Sequence, residues 1–88
     1  MGKKDTLLNR IIIDPKILVG KPIIKGTRLA VEHILDLLGE GMATEEIMQE
    51  YTQLKKEDIL ACILFAREML VDITYLLSQQ MIQLKSLN

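Results

Sequence analysis

Within 88 residues there is one histidine, His33, and one cysteine, Cys62, the side chains from which zinc sites are chiefly built. A zinc centre built mainly from Cys and His needs more ligands than these, and no disulfide can close within the chain. His33 has no Ser, Cys or carboxylate at a spacing that would activate it, so it is expected as a half-exposed helix residue. Cys62 lies inside the apolar run Ile59 to Ala66 and is expected to be an inert core thiol. Gly20 to Thr27 holds glycines and lysines but lacks the GxxxxGK[ST] spacing of a phosphate loop, and Lys21 precedes the turn instead of following it. Met1-Gly2-x-x-x-Thr6 fits a myristoylation pattern that six residues match too easily to carry weight. No catalytic site, cofactor or metal is expected.

Charge is the more informative chemistry. Residues 1 to 30 hold seven cations against two carboxylates, a net of +5, whereas residues 31 to 88 hold four cations against ten carboxylates, a net of −6. A basic first third suits an anionic partner, because Lys and Arg neutralising phosphates supply most non-specific nucleic-acid affinity. Lys21, Lys25 and Arg28 surround a Gly-rich turn whose backbone N–H groups can also meet phosphate. The same residues equally suit a solvated strand edge and its turn, since lysines protect sheet edges. Arg28 likewise has two readings, a phosphate contact or a tie between the arm and a helix carboxylate, and the tie is slightly favoured.

These residues must be positioned by an extended arm and a helical body. Ile11 to Ile13 is a β-branched run closed by Asp14-Pro15, and Pro15 keeps Asp14 out of helical dihedrals. Gly20-Lys21-Pro22 punctuates again, Ile23-Ile24 is β-prone, and Lys25-Gly26-Thr27 predicts a turn with Gly26 at positive φ, followed by a short strand at Arg28-Leu29. From Val31 the spacing becomes helical, with Val31, Ile34, Leu35 and Leu38 on one face, and Gly39 and Gly41 ending it. Thr44 predicts the cap of a second helix reaching about Tyr51.

The third helix, opening at Lys55-Lys56, contains no Gly or Pro to the end of the chain. Ile59, Ile63, Ala66, Leu70, Ile73, Leu77, Gln80 and Leu84 recur in steps of four and three, an a/d seam lasting more than three heptads. Roughly 25 helical residues make a rod near 38 Å, longer than two short helices can cover. The run Ile59 to Ala66 is apolar on every face and is expected to be central core, while Ile59, Ile63, Ala66, Leu70, Ile73 and Leu77 form a dimer or partner interface. Met69, Leu76, Met81 and Leu84 suit either that seam or a groove for a partner protein.

Eighty-eight residues at 49% hydrophobic and 26% charged fit one domain, here residues 1–30 as a basic β-arm, 31–54 as two short helices and 55–84 as an oligomerisation helix. With three aromatics and no tryptophan, stability must come from aliphatic burial, which is marginal at this size and favours oligomers. The longest apolar run is eight residues, against about 20 for a membrane span. The N-terminus lacks the long apolar core of a signal peptide. A cytoplasmic homodimer or higher oligomer, without membrane contact, is the expectation.

Asp14-Pro15, then Gly20-Lys21-Pro22-Ile23-Ile24-Lys25-Gly26-Thr27-Arg28, then Val31-Glu32-x-Ile34, Gly41, Glu45-Glu46-Ile47, Tyr51 and Leu54-x-x-Glu57-Asp58-Ile59 resemble the domain of unknown function 433. The resemblance spans residues 11 to about 68, with GxPxIxGTR as its most specific part. It implies a mainly α, homeodomain-like helix-turn-helix fold with a short N-terminal β-arm or hairpin and a long C-terminal helix. It also implies a VapB-type antitoxin role, paired with a PIN-like nuclease in a type II toxin–antitoxin module and possessing helix-turn-helix DNA binding. The chain departs from the pattern at Ala30 and Lys55, where capping residues are common, and in the 20 residues after Glu68.

In a helix-turn-helix, residues near the N-terminus of the second motif helix reach bases, here Lys55, Lys56, Glu57, Ile59 and Leu60. The two lysines suit phosphate, but Glu57 and Asp58 bring negative charge to the duplex and the apolar run leaves no polar reading face. The candidate DNA-binding set is therefore Lys21, Lys25, Arg28, Lys55 and Lys56. The competing expectation is a dimeric protein-interaction or scaffold module that never touches DNA.

Overall fold

A computed structural model describes residues 2–86. The element order is α1 (Lys3–Leu8), β1 (Ile11–Ile13), β2 (Pro22–Ile24), α2 (Val31–Gly39), α3 (Thr44–Glu50) and α4 (Lys56–Ser86). The mainly helical class, the two-stranded hairpin and the long last helix match the sequence reading. The arm is not wholly extended, however. Lys3–Leu8 forms a helical turn and a half, with Thr6 Oγ1 donating to the Gly2 carbonyl, and it lies along α4, where Lys4 pairs with Glu68.

β1 and β2 are antiparallel, with Ile11 opposite Ile24, Ile12 opposite Ile23 and Ile13 opposite Pro22. Pro22 sits at the first position of its strand, where its missing N–H costs least. Asp14 starts the connection by accepting from the Lys16 N–H at 2.9 Å, while Ile17 N–H bonds the Asp14 carbonyl at 2.9 Å. The connection ends in an unusual turn, since Leu18, Val19 and Gly20 all have positive φ, at 50°, 56° and 77°. Gly20 adopts this at little cost, but a β-branched residue there is strained by about 1–2 kcal/mol. Val19 is nevertheless 94% exposed.

After β2 the chain reverses through Gly26 at φ +83°. Thr27 staples this turn: its hydroxyl donates to the Ile24 carbonyl at 2.7 Å and accepts from the Leu29 N–H at 3.0 Å. The strand expected at Arg28-Leu29 is reduced to a single bridge between Ile23 and Ala30, because the stapled turn consumes those residues. Ala30 then precedes α2 with no side-chain cap.

The core joins Ile24 of β2, Val31 and Ile34 of α2, Ile47 of α3, and Leu54, Ile59 and Cys62 at and within the start of α4. Apart from Cys62 it is aliphatic, so its stabilisation is mainly the burial of branched side chains, about 1.5–3 kcal/mol for each one fully buried. Two details of the helices differ from expectation. Thr44 is the first residue of α3 and not its cap; Ala43 holds the cap position, and Glu46 reaches back to accept the Ala43 N–H at 2.9 Å. The run Ile59 to Ala66 is not buried all round, because Leu60 and Ile63 face outward while Ile59, Ala61 and Cys62 face the core.

α4 is 31 residues, about 47 Å at 1.5 Å per residue. The molecule's longest dimension is 55 Å against 30 Å for the other two. The body packs on the first third of α4, and the rest projects.

Candidate functional site

Three of the seven arm cations are occupied by carboxylates of the helical body. Lys4 pairs with Glu68, Lys21 with Glu32, and Arg10 Nη1 with Asp58 Oδ1 at 3.0 Å. Lys21 and Glu32 are both well exposed, so water competes for that pair and its net worth is small. The Arg10 pair differs. Asp58 is buried, and its second oxygen accepts the Lys55 N–H at 2.9 Å, so one carboxylate caps α4 and anchors the hairpin. The tie between arm and helices is thus made by Arg10, while Arg28 is exposed and makes no ion pair among the described residues.

This placement divides the expected DNA-binding set. Lys25 and Arg28 stand exposed on either side of the Gly26-Thr27 turn, and Lys55 and Lys56 are exposed at the start of α4. Lys21 is partnered. Of the residues that a recognition helix would present, Ile59 is 1% exposed and belongs to the core, and Asp58 is turned inward to Arg10. The exposed residues of those turns are Lys56, Glu57, Leu60 and Ile63, a mixed surface with little hydrogen-bonding capacity for base edges. The motif residues Asp14, Pro15, Gly20, Pro22, Gly26 and Thr27 build the two turns and the strand start described above; their geometry accounts for them without a ligand.

The expected interface residues also divide. Ile59 is removed from the interface by its burial, whereas Leu70, Ile73 and Leu77 are 63%, 49% and 55% exposed. Ala66 is half-buried and Ile63 faces outward. An apolar groove of about 380 Å³ lies where α4 leaves the body, lined by Pro22, Val31 and Leu35 on one side and Phe65, Met69, Leu70 and Ile73 on the other. A second depression, about 490 Å³, lies further along α4 at Val71, Asp72, Tyr75 and Leu76. From Ile73 to Leu84 the chain carries no charged residue.

His33 and Tyr51 form a surface pair, ring nitrogen to hydroxyl at 2.9 Å, with the rings edge to face at 5.8 Å. Cys62 is buried and free, and its thiol is pushed up to about 12 by burial and, secondarily, by the Asp58 charge. It is therefore un-ionised at neutral pH and a poor nucleophile. Among the described residues no three His, Cys, Asp or Glu side chains gather where they could hold a metal, and no helix is long and apolar enough to cross a membrane.

Sequence reasoning missed Arg10, Asp58 and Tyr51 as partners. Asp58 three residues after Lys55 carried the available signal, since an acid three residues beyond a cap position commonly reaches back to it.

The model of the family described as protein of unknown function (DUF433) matches residues 11–66. An uncharacterized protein of Archaeoglobus fulgidus is 52% identical over 25 residues, covering 28% of this chain and 69% of its own length. A crystal structure of a DUF433 member from Anabaena variabilis ATCC 29413 shares the fold with a TM-score of 0.68 at 24% identity, over 84% of this chain and 73% of that one. The matched span runs from the first strand into α4, so the stapled turns, the core and the body side of the groove fall within it while Met69, Leu70 and Ile73 lie beyond it, and the chain belongs to the DUF433 family.

Proposed function

We propose that the protein is an antitoxin-like small regulator of a type II toxin–antitoxin module, acting in the cytoplasm without catalysis of its own. It captures a PIN-like nuclease with the projecting part of α4 and contacts its own promoter DNA through Lys25, Arg28, Lys55 and Lys56. The observation that carries this reading is the projecting helix itself. Beyond Met69 it presents large apolar side chains that its own fold does not bury, among them Tyr75 and Leu76 beside the 490 Å³ depression. An amphipathic helix of this kind supplies the anchors for a groove on another protein, and an inhibitor needs such a segment free of its own core.

The test is inhibition of the product of the adjacent gene, which this reading expects to be a PIN-like nuclease. The full-length protein is expected to suppress RNA cleavage at stoichiometric ratio, and Tyr75→Asp with Leu76→Asp to weaken that suppression by at least about tenfold, as charges placed at a buried anchor do. Unchanged suppression would sink the capture surface. DNA contact is tested by fluorescence anisotropy on the upstream duplex and a scrambled duplex across salt. Lys25→Ala with Arg28→Ala should lower the salt slope by about 2.

A second reading, a protein-interaction or scaffold module that binds no DNA, is favoured by the ion pairs that occupy Lys4, Arg10 and Lys21. Under that reading both duplexes are ignored at physiological salt while partner binding through α4 survives.

A further inference from the structure

We propose that the 380 Å³ groove is the seat for a second copy's α4, giving a two-fold dimer in which the projecting helices lie antiparallel and each fills the other's groove. This inference concerns self-assembly alone and is independent of any nuclease or DNA.

The groove identifies its occupant by shape and charge. Its walls are the body (Pro22, Val31, Leu35) and α4 itself (Phe65, Met69, Leu70, Ile73). It needs an apolar, uncharged segment, since its lining is apolar apart from Glu32 at the rim and would leave a buried charge unpaired. Residues 73 to 84 of the same chain carry no charge, and those described lie within the continuous helix α4. The α4 wall of the groove centres near residue 69 and the charge-free segment between residues 78 and 79, so the two-fold axis passes between residues 73 and 74, beside Ile73.

The heptad spacing is compatible with this register. With Ile73 facing its own counterpart, Leu70 meets the second copy's Leu77 and the small Ala66 meets the second copy's longer Gln80. These pairings hold a/d side chains in successive layers. Arg67 lies level with uncharged residues of the other copy and Glu68 is held by Lys4 of its own α1, while Asp72, outside the a/d seam, lies level with its counterpart beside the axis. A parallel pairing would set the two bodies side by side and leave both grooves unfilled by the charge-free segment, whereas the antiparallel one closes isologously.

The area is sufficient. The large seam side chains are about half exposed; with the groove walls they bury on the order of 700 Å² per copy, close to the roughly 800 Å² per partner of a standard interface.

A cysteine on the two-fold axis meets itself, which gives a direct test. Ile73→Cys and Gln80→Cys, both on the seam, would each be made in this chain, oxidised with copper phenanthroline without nuclease or DNA, and compared on non-reducing gels and by light scattering. Disulfide closure requires Cα atoms within about 7 Å. In the antiparallel dimer only Ile73→Cys meets this requirement, and Cys62 is too buried to interfere. The expected result is a dimer mass for the unmodified protein, near-complete cross-linking of Ile73→Cys, and at least about tenfold less of Gln80→Cys, which in the antiparallel pair lies opposite Ala66. Equal cross-linking of both would mean a parallel pair and overturn the proposal. A dimer that cross-links at neither position, or a monomer by light scattering, would also overturn it.

Discussion

The two ends of α4 have similar apolar content and opposite fates. Around Ile59 and Cys62 the side chains are fully enclosed by α2, α3 and the hairpin, whereas around Leu70 to Leu77 they stand half in water. Composition therefore does not decide which part of the helix is core. What decides is whether the rest of the chain reaches it, and a body of about 50 residues surrounds only three or four turns of a helix. The projecting part retains its helix through continuity with the packed part, because elongating an existing helix is far easier than nucleating one. Such a segment is structurally inexpensive and chemically available, which suits binding.

That contrast is broken most severely by matched truncations on one helix. Ile59→Ala should cost about 2–4 kcal/mol through lost burial and a residual cavity, while Leu76→Ala should change monomer stability by less than about 0.5 kcal/mol. Urea unfolding of both at low protein concentration measures the difference. A comparable loss at Leu76 would show that the projecting half is packed against something in the folded chain. Next in size is Asp58→Ala, which removes the cap on Lys55 and leaves Arg10 unpaired beside the core; about 2–3 kcal/mol is expected. Arg10→Ala leaves the cap in place and should cost less, so equal losses would mean that the ion pair, and not the cap, supplies the stabilisation.

The contrast also explains which parts of the molecule were legible in the sequence. Strands at Ile11–Ile13 and Ile23-Ile24, the Gly26 turn, the face of α2 and the length of α4 follow from spacing and from residue types with strong local preferences. The α1 turn was not legible because Lys3–Leu8 has no apolar periodicity long enough to detect, and its helix is held by α4 through Lys4 and Glu68. The positive φ of Leu18 and Val19 runs against their propensity and is imposed by the loop closing around them. For the candidate site, the seam's periodicity was visible but its division was not. The same a/d spacing places Ile59 in the core and Leu70 in solvent, since periodicity gives the face of a helix and not the depth at which the body ends. Ion pairing was the least legible, because which of twelve carboxylates meets which cation depends on the tertiary placement of both.

The smallest expected effect lies at the boundary between the two regions. Glu68 stands where α4 leaves the body and is held by Lys4 of α1 and by Arg67 beside it. The hydrogen bond from Lys4 is the main reason its carboxyl is lowered from the ordinary 4.5, with Arg67 adding to it. A carboxyl whose folded value lies below its unfolded one contributes stability that is present above the unfolded value and is lost as pH falls through the folded one. The contribution is therefore intact at neutral pH and declines below about 4.5. Because the group is solvated, the effect is small and screened by salt. Glu68→Gln should leave the neutral-pH melting temperature nearly unchanged in high salt, lower it slightly in low salt, and flatten the acid side of the stability curve. If instead the variant loosens only α1, hydrogen exchange will rise at Asp5 to Leu8 while Ile59 to Cys62 stay protected, and the boundary between the packed body and the projecting helix will be shown to rest on the core alone.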